Sequence, residues 1–230
     1  MLATRNGFAR TVMILVSGTS TLLATGAHPS ARASVVAADP SSCLVLEWMD
    51  PHQLLPAGER WLAKEASRIL HDAKIPSRWD WSRGHARGAS SSAREHRLRV
   101  VLVPSEPSGP GWDLASNTLG VTVLDGKQTS PAVYIFYHSI VSVLGRDASK
   151  RGRAPNLSDP RFLGPASRAL GRVVAHEIAH AIAPGEPHAR SGLMQAGLAP
   201  KLLTAKREVT IDDQWELVLG AGLSKLCAER

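Results

Sequence analysis

Hydrophobic residues recur with the spacing of regular elements in three segments of the chain. From Pro56 to Ala73 they return every three or four residues, which is the spacing of one helix face, and we expect that face to pack on a sheet. A run of valine and leucine from Leu98 to Val103 is typical of a strand buried on both faces. A second helix is predicted from about Ala166 to Ala183, with apolar residues on one side and polar residues on the other.

Shorter patterns predict the rest of the fold. Leu119 to Val123 alternates apolar residues with glycine and threonine, and Ala132 to Tyr137 is rich in β-branched and aromatic residues, so both are predicted strands. We interpret Ile75 to Trp81 as extended, His138 to Leu144 as a short helix, and Gly145 to Pro165 as a long surface loop. This order predicts an α+β fold: one domain with a small mixed, twisted sheet and a backing helix.

The composition is that of an ordinary folded domain rather than of a disordered chain or a membrane bundle. Of the 230 residues, 43% are hydrophobic and 20% are charged. The 27 basic and 20 acidic residues give a formal net charge of +7. This charge permits attraction to anionic surfaces but identifies no partner.

The first 33 residues have the features of an export signal. Arg5 and Arg10 form a basic start, an uncharged stretch follows from Thr11 to Ala27, and an A-x-A-type cleavage site ends at Ala33. Ala27 is a second possible cleavage point, and an uncleaved anchor is the alternative. We therefore expect a signal peptide over 1–33, a domain over 34–230, and a secreted or periplasmic protein. The segment carries three arginines and no acidic residue, so its removal would lower the net charge to +4.

The two cysteines are too few for a disulfide scaffold and lack the C-x-x-C spacing of a structural zinc site. In an oxidising compartment, Cys43 and Cys227 could form one disulfide that joins the two ends of the exported chain. Attachment of a lipid to Cys43 is an alternative, although the residues before it do not resemble the usual lipid-attachment motif.

An H-E-x-x-H motif from His176 to His180 carries the clearest chemistry in the sequence. On a helix, a spacing of four places both imidazoles on one face, where they can bind the same zinc ion. Zinc makes a water molecule more acidic, and the neighbouring Glu177 can accept its proton as general base. The alternative is an amphipathic helix whose histidines only form hydrogen bonds.

A catalytic zinc site needs a third protein ligand. His188 is the preferred candidate, because it follows a helix-ending Pro-Gly pair after which the chain can turn back toward the metal. Met194 follows in a Gly-Leu-Met sequence.

These residues resemble the metzincin-type zinc metallopeptidases, whose signature is H-E-x-x-H-x-x-G-x-x-H followed by a methionine-containing turn. The resemblance implies that His176, His180 and His188 bind zinc and that Met194 forms the floor of the site. It also implies a zincin-like domain in which the second helix is the active-site helix.

The sequence departs from the metzincin signature in the turn between the second and third ligands. Ala183 stands where the glycine is expected, and Glu186 occupies the position of the third ligand, so that His188 comes two residues late. Glu186 is therefore an alternative third ligand. A glutamate from a later helix, Glu216, is another.

The sequence as a whole predicts a secreted zinc-dependent peptidase with Zn²⁺ as its cofactor and a peptide or protein as its substrate. We expect an extended peptide to bind beside the strand that contains Val121 and Val123. We expect no specific nucleic acid, no stable membrane insertion after signal removal, and a monomer. The alternatives are a non-catalytic exported zinc-binding protein and a basic module that binds polyanions through its arginine clusters.

Overall fold

In the part of the chain that the structure describes, a six-stranded mixed sheet and five helices form the framework. The computed structural model describes residues 11–12, 43–55, 57–81, 95–107, 112, 114, 118–124, 131–149 and 160–228. The strands are β1 (Thr11–Val12), β2 (Leu44–Met49), β3 (Ser77–Asp80), β4 (His96–Val103), β5 (Gly120–Leu124) and β6 (Ala132–Phe136). The helices are α1 (Glu59–Asp72), α2 (Tyr137–Ser149), α3 (Pro160–Ile182), α4 (Pro200–Thr204) and α5 (Asp213–Ala228).

The strand order across the sheet is β1-β5-β6-β4-β2-β3. Strands β3, β2, β4 and β6 run parallel, whereas β5 is antiparallel to β6 and β1 is antiparallel to β5. The predicted α+β fold with a mixed sheet and a backing helix is confirmed. Among the described residues, most of the buried apolar side chains form one continuous core.

Side chains alternate across the sheet between an apolar and a charged face. Leu46 and Leu98 belong to the core, whereas their neighbours Glu47 and Arg97 point to the other face and form an ion pair at 2.7 Å. Arg97 also pairs with Asp80 at 3.1 Å.

The predicted α1 is present, but its apolar face packs chiefly on α3 rather than on the sheet alone. The two helices approach closely at Gly171: a Cβ atom there would lie 2.6 Å from the carbonyl oxygen of Leu62. Only glycine leaves room for this approach. It fixes α3 between α1 and the sheet.

Two predicted boundaries were wrong, and one strand was missed. The loop predicted from Gly145 to Pro165 is shorter, because α2 continues to Ser149 and α3 already begins at Pro160. Pro165 lies inside α3, and Phe162 before it packs against the core, which stabilises the added turn despite the proline. Strand β2 was not predicted at all, although it lies between β3 and β4.

Cys43 and Cys227 form a disulfide, with Cα atoms 5.9 Å apart. Cys43 directly precedes β2 and Cys227 lies in the last turn of α5. The bond therefore attaches the C-terminal helix to the sheet. It also leaves no free thiol on Cys43 for a lipid.

The predicted export signal lies outside the described residues except for β1. Within the described part of the chain, no helix combines the length and the apolar character that crossing a bilayer requires.

Candidate metal centre

Helix α3 positions His176, Glu177 and His180 in the interior of the protein. All three side chains are at least 96% buried, and so is the face that the sequence assigned to packing. From residue 169 to its end, the helix is thus enclosed on every side rather than only on its apolar face. Histidine and glutamate side chains in such a position need specific polar partners.

His188 lies beside the two helix histidines. After α3 the chain turns at Gly185, whose φ of 86° is readily adopted only by glycine. The Nε2 atom of His188 is 3.1 Å from Nε2 of His180, which in turn is 3.2 Å from Nε2 of His176. The three rings therefore present their nitrogens to one point.

The structure brings neither of the other candidate ligands to this point. Among the described residues, the cluster of possible ligand atoms within 4.8 Å of one another consists of the three histidines. Glu186 is exposed on the turn before His188. On α5 it is Trp215, the neighbour of Glu216, that contacts the cluster.

A backbone carbonyl fixes the orientation of the His176 ring. Nδ1 of His176 lies 2.8 Å from the carbonyl oxygen of Leu193, so this nitrogen carries the hydrogen and donates it. The lone pair of the ring is then on Nε2, which faces the other two histidines. Histidines that bind metals are commonly oriented by such a second hydrogen bond.

The turn around Met194 supports both ends of the histidine cluster. Met194 is fully buried, and its carbonyl oxygen accepts a hydrogen bond of 2.8 Å from the amide of Ala189, the residue after His188. Leu193, the preceding residue, supplies the carbonyl that orients His176. The segment of Leu193 and Met194 thus connects the turn that carries His188 to the ring of His176. The sequence signal for it was the Gly-Leu-Met sequence, in which Gly192 has a φ of 75°.

His180 packs edge to face on Trp215, with ring centroids 5.5 Å apart and an interplanar angle of 90°. Its Nδ1 atom is buried and has no hydrogen-bond partner among the described residues. The aromatic ring of Trp215 closes the side of the cluster that faces α5. No pattern in the sequence marked Trp215 for this position.

Burial keeps the histidines neutral. It lowers the pKa of His176 to about 4 and the pKa of His180 to about 3, and it also lowers the pKa of His188. At neutral pH each ring therefore has a free lone pair, which is the form that binds a metal.

The side chain of Glu177 lies between its own helix, α3, and strand β5. Burial raises its pKa to about 8, although a hydrogen bond with Thr122 acts in the opposite direction. The Oγ1 atom of Thr122 is 3.0 Å from Oε2 of Glu177. Gly120 lies two residues earlier on the same face of β5, and a Cβ atom there would be 3.0 Å from Cγ of Glu177. Strand β5 thus provides both the space and a partner for this carboxylate.

The histidine cluster fits a transition-metal ion such as zinc. Nε2 of His180 can carry at most one hydrogen, and Nε2 of His176 carries none, so hydrogen bonds alone do not satisfy both short contacts between nitrogens. A shared cation would satisfy all three lone pairs. Three imidazoles suit zinc, whereas Mg²⁺ and Ca²⁺ prefer oxygen ligands.

Comparison with known proteins identifies no family for this chain. No family model matches it, and no curated protein matches it. Two solved structures are similar in fold. One is a zinc-dependent peptidase from Methanocorpusculum labreanum, with 14% identity and a TM-score of 0.47 over 76% of this chain and 99% of that one. The other is archaemetzincin from Methanopyrus kandleri, with 14% identity and a TM-score of 0.41 over 83% of this chain and 99% of that one.

Proposed function

We propose that this protein is an exported zinc-dependent peptidase of the metzincin type, with a zincin-like domain over 34–230. The observation that carries the proposal is the convergence of three neutral imidazole nitrogens next to a buried glutamate on the same helix. In this proposal His176, His180 and His188 bind the metal and Glu177 is the general base.

The residues of the chain suit the hydrolysis of a peptide bond. When bound, zinc would polarise the substrate carbonyl and make a neighbouring water more acidic. Glu177 accepts the proton of the attacking water and delivers it to the leaving amine. Burial raises the pKa of Glu177, which makes this carboxylate a stronger base than an exposed one, whereas a bound cation would act in the opposite direction.

The outer edge of β5 is a suitable binding site for an extended substrate. Two residues of the N-terminal segment, Thr11 and Val12, pair there with Leu124 and Val123 in antiparallel register. This pairing supports the idea that the edge accepts an added strand. Removal of the predicted signal peptide would make the edge available beside Glu177.

Export is supported by the disulfide between Cys43 and Cys227, since such bonds persist in oxidising compartments.

The same disulfide also argues against the alternative of a structural zinc site. Closed structural sites use four protein ligands, often cysteine, whereas the described residues offer three histidines and the two cysteines are bonded to each other.

The polyanion-binding alternative has less support. Arg97 and Arg99, which belong to one of the arginine clusters, are engaged with Glu47 on the charged face of the sheet. Their charge is therefore largely balanced. The rest of that cluster, at 83–94, and the second cluster, at 146–153, consist of side chains outside the described residues.

The proposal is tested on the mature chain, purified after export. We expect N-terminal sequencing to find a start after Ala33 and metal analysis to find about one zinc per chain. Glu177→Gln should retain the zinc and lose cleavage of an unstructured protein substrate, because the amide cannot accept the proton.

Glu186→Gln is the matched control, since Glu186 is exposed on the neighbouring turn and the same chemical change there should leave both zinc and activity intact. A wild-type protein that holds zinc but cleaves no member of a broad peptide library would favour the non-catalytic alternative.

A further inference from the structure

We propose that Thr122 is a positioning residue that holds the carboxylate of Glu177 in the orientation needed for proton transfer. This inference rests on the proposed function. Thr122 belongs to β5, outside the H-E-x-x-H motif and outside the turn around Met194.

The side chain of Thr122 is 98% buried and makes two contacts with the same residue of α3. Its Oγ1 atom is 2.8 Å from the carbonyl oxygen of Glu177 and 3.0 Å from Oε2 of its carboxylate. One hydroxyl group therefore contacts both the backbone and the side chain of Glu177. A contact to the backbone alone would only attach β5 to α3, whereas the second contact restricts the carboxylate itself.

The surroundings leave the carboxylate little other freedom. Gly120 and Thr122 lie on the same face of β5, because side chains alternate along a strand. At Gly120 a Cβ atom would be 3.0 Å from Cγ of Glu177, so the stem of the side chain runs directly past the strand. Strand β5 thus contacts the Glu177 side chain twice: Gly120 lies against its Cγ atom, and Thr122 lies against Oε2.

The contact with Thr122 gives the two carboxylate oxygens of Glu177 different roles. The single hydrogen of the Thr122 hydroxyl is shared between the carbonyl oxygen and Oε2 of Glu177, so Oε2 is engaged and we assign the proton-accepting role to Oε1. A glutamate side chain has three rotatable torsions, and a displacement of about 1 Å at a reacting group can reduce a rate by about 100-fold. A fixed hydrogen bond to one oxygen restricts the last of these torsions.

The test compares Thr122→Val with Thr122→Ser. Valine keeps the shape of threonine but lacks the hydroxyl, so we expect kcat to fall by about 100-fold while KM and the zinc content stay unchanged. Serine keeps the hydroxyl and should restore most of the activity. Thr204→Val is the matched control, because the Thr204 hydroxyl bonds only within α4, and this variant should keep the wild-type kcat.

A second readout does not depend on activity. In crystal structures of the zinc-loaded proteins, the wild type and Thr122→Ser should keep the carboxylate of Glu177 at the β5 hydroxyl, and Thr122→Val should show it displaced. The inference is overturned if the carboxylate keeps its position in Thr122→Val, or if serine fails to restore the activity that valine removes. If the wild type cleaves nothing, the proposed function fails, and the position of the carboxylate in the three structures still decides the role of Thr122.

Discussion

At the scale of single residues, the sequence left alternatives for the third residue of the candidate metal site. The structure places His188, rather than Glu186 or Glu216, beside the other two histidines. His188 is two positions later than the metzincin signature places its third histidine, yet its Nε2 atom reaches the other two rings. The longer turn at Gly185 accounts for the shift, because it adds the residues that the chain needs to return to α3.

This arrangement predicts different effects for two neighbouring substitutions. His188→Ala should lower the affinity for zinc by at least 100-fold, because it removes one of three ligands, whereas Glu186→Ala should leave the affinity unchanged. Competition with a zinc chelator measures both variants. The assignment of His188 is wrong if Glu186→Ala loses zinc and His188→Ala retains it.

At the scale of elements, α3 is fixed by a buried arginine one turn before the motif. Arg172 is 99% buried and donates to Glu65 of α1 at 2.8 Å, to the carbonyl oxygens of Leu202 and Leu203, and to that of Arg207. It therefore connects α1, α3 and the segment that leads to α5. Burial lowers its pKa, and the carboxylate of Glu65 opposes this change.

Removal of this arginine should destabilise the protein strongly. We expect Arg172→Met to lower the free energy of unfolding by about 3–5 kcal/mol, because it leaves a carboxylate and several carbonyl groups without their buried donor. Arg68→Met is the control: Arg68 also pairs with Glu65 but is partly exposed, so its loss should cost about 1 kcal/mol or less. Urea unfolding of both variants measures the difference, and equal losses would contradict the special role of Arg172.

The helices and the long strand were predictable because their patterns are local. The apolar face of α1 and the valine run of β4 depend only on residues close in sequence. Strand β2 is longer than β5 and β6, but Glu47 interrupts its apolar run and its parallel partners are distant in sequence, so no local pattern indicated it.

The candidate site likewise contains residues that the sequence predicted and residues that it did not. The motif predicted His176, Glu177 and His180, and spacing predicted His188. Thr122 and Trp215 contact these residues from elements far away in sequence. Neither belongs to a motif, so only the folded arrangement shows their position.

At the scale of the whole molecule, the buried titratable groups give the metal-free protein a stability that depends on pH. The pKa values of the three histidines are lowered, so below about pH 6.5 the unfolded chain binds more protons and folding becomes less favourable as the pH falls. The raised pKa of Glu177 has the opposite effect: between about pH 4.5 and 8 the folded chain binds the extra proton, and stability decreases as the pH rises.

We therefore expect the stability of the zinc-free protein to rise from pH 4.5 to about 6.5, where three histidines outweigh one glutamate, and to decline slightly from there to pH 8. Urea unfolding after removal of the metal with a chelator measures this profile. Glu177→Gln should abolish the decline above pH 6.5 and keep the rise below it. A flat profile for the wild type would contradict the burial of neutral histidines.

The disulfide has a further consequence for the proposed peptidase activity. Cys43 and Cys227 are separated by 184 residues, so nearly all of the folded domain lies within the ring that they close. A single backbone cut at any point of that ring opens it without releasing a fragment, and the two new ends remain parts of one covalent molecule. Under the proposed activity, a cut made by a neighbouring copy of this chain would thus become visible on a denaturing gel only after the sulfur bridge had been reduced.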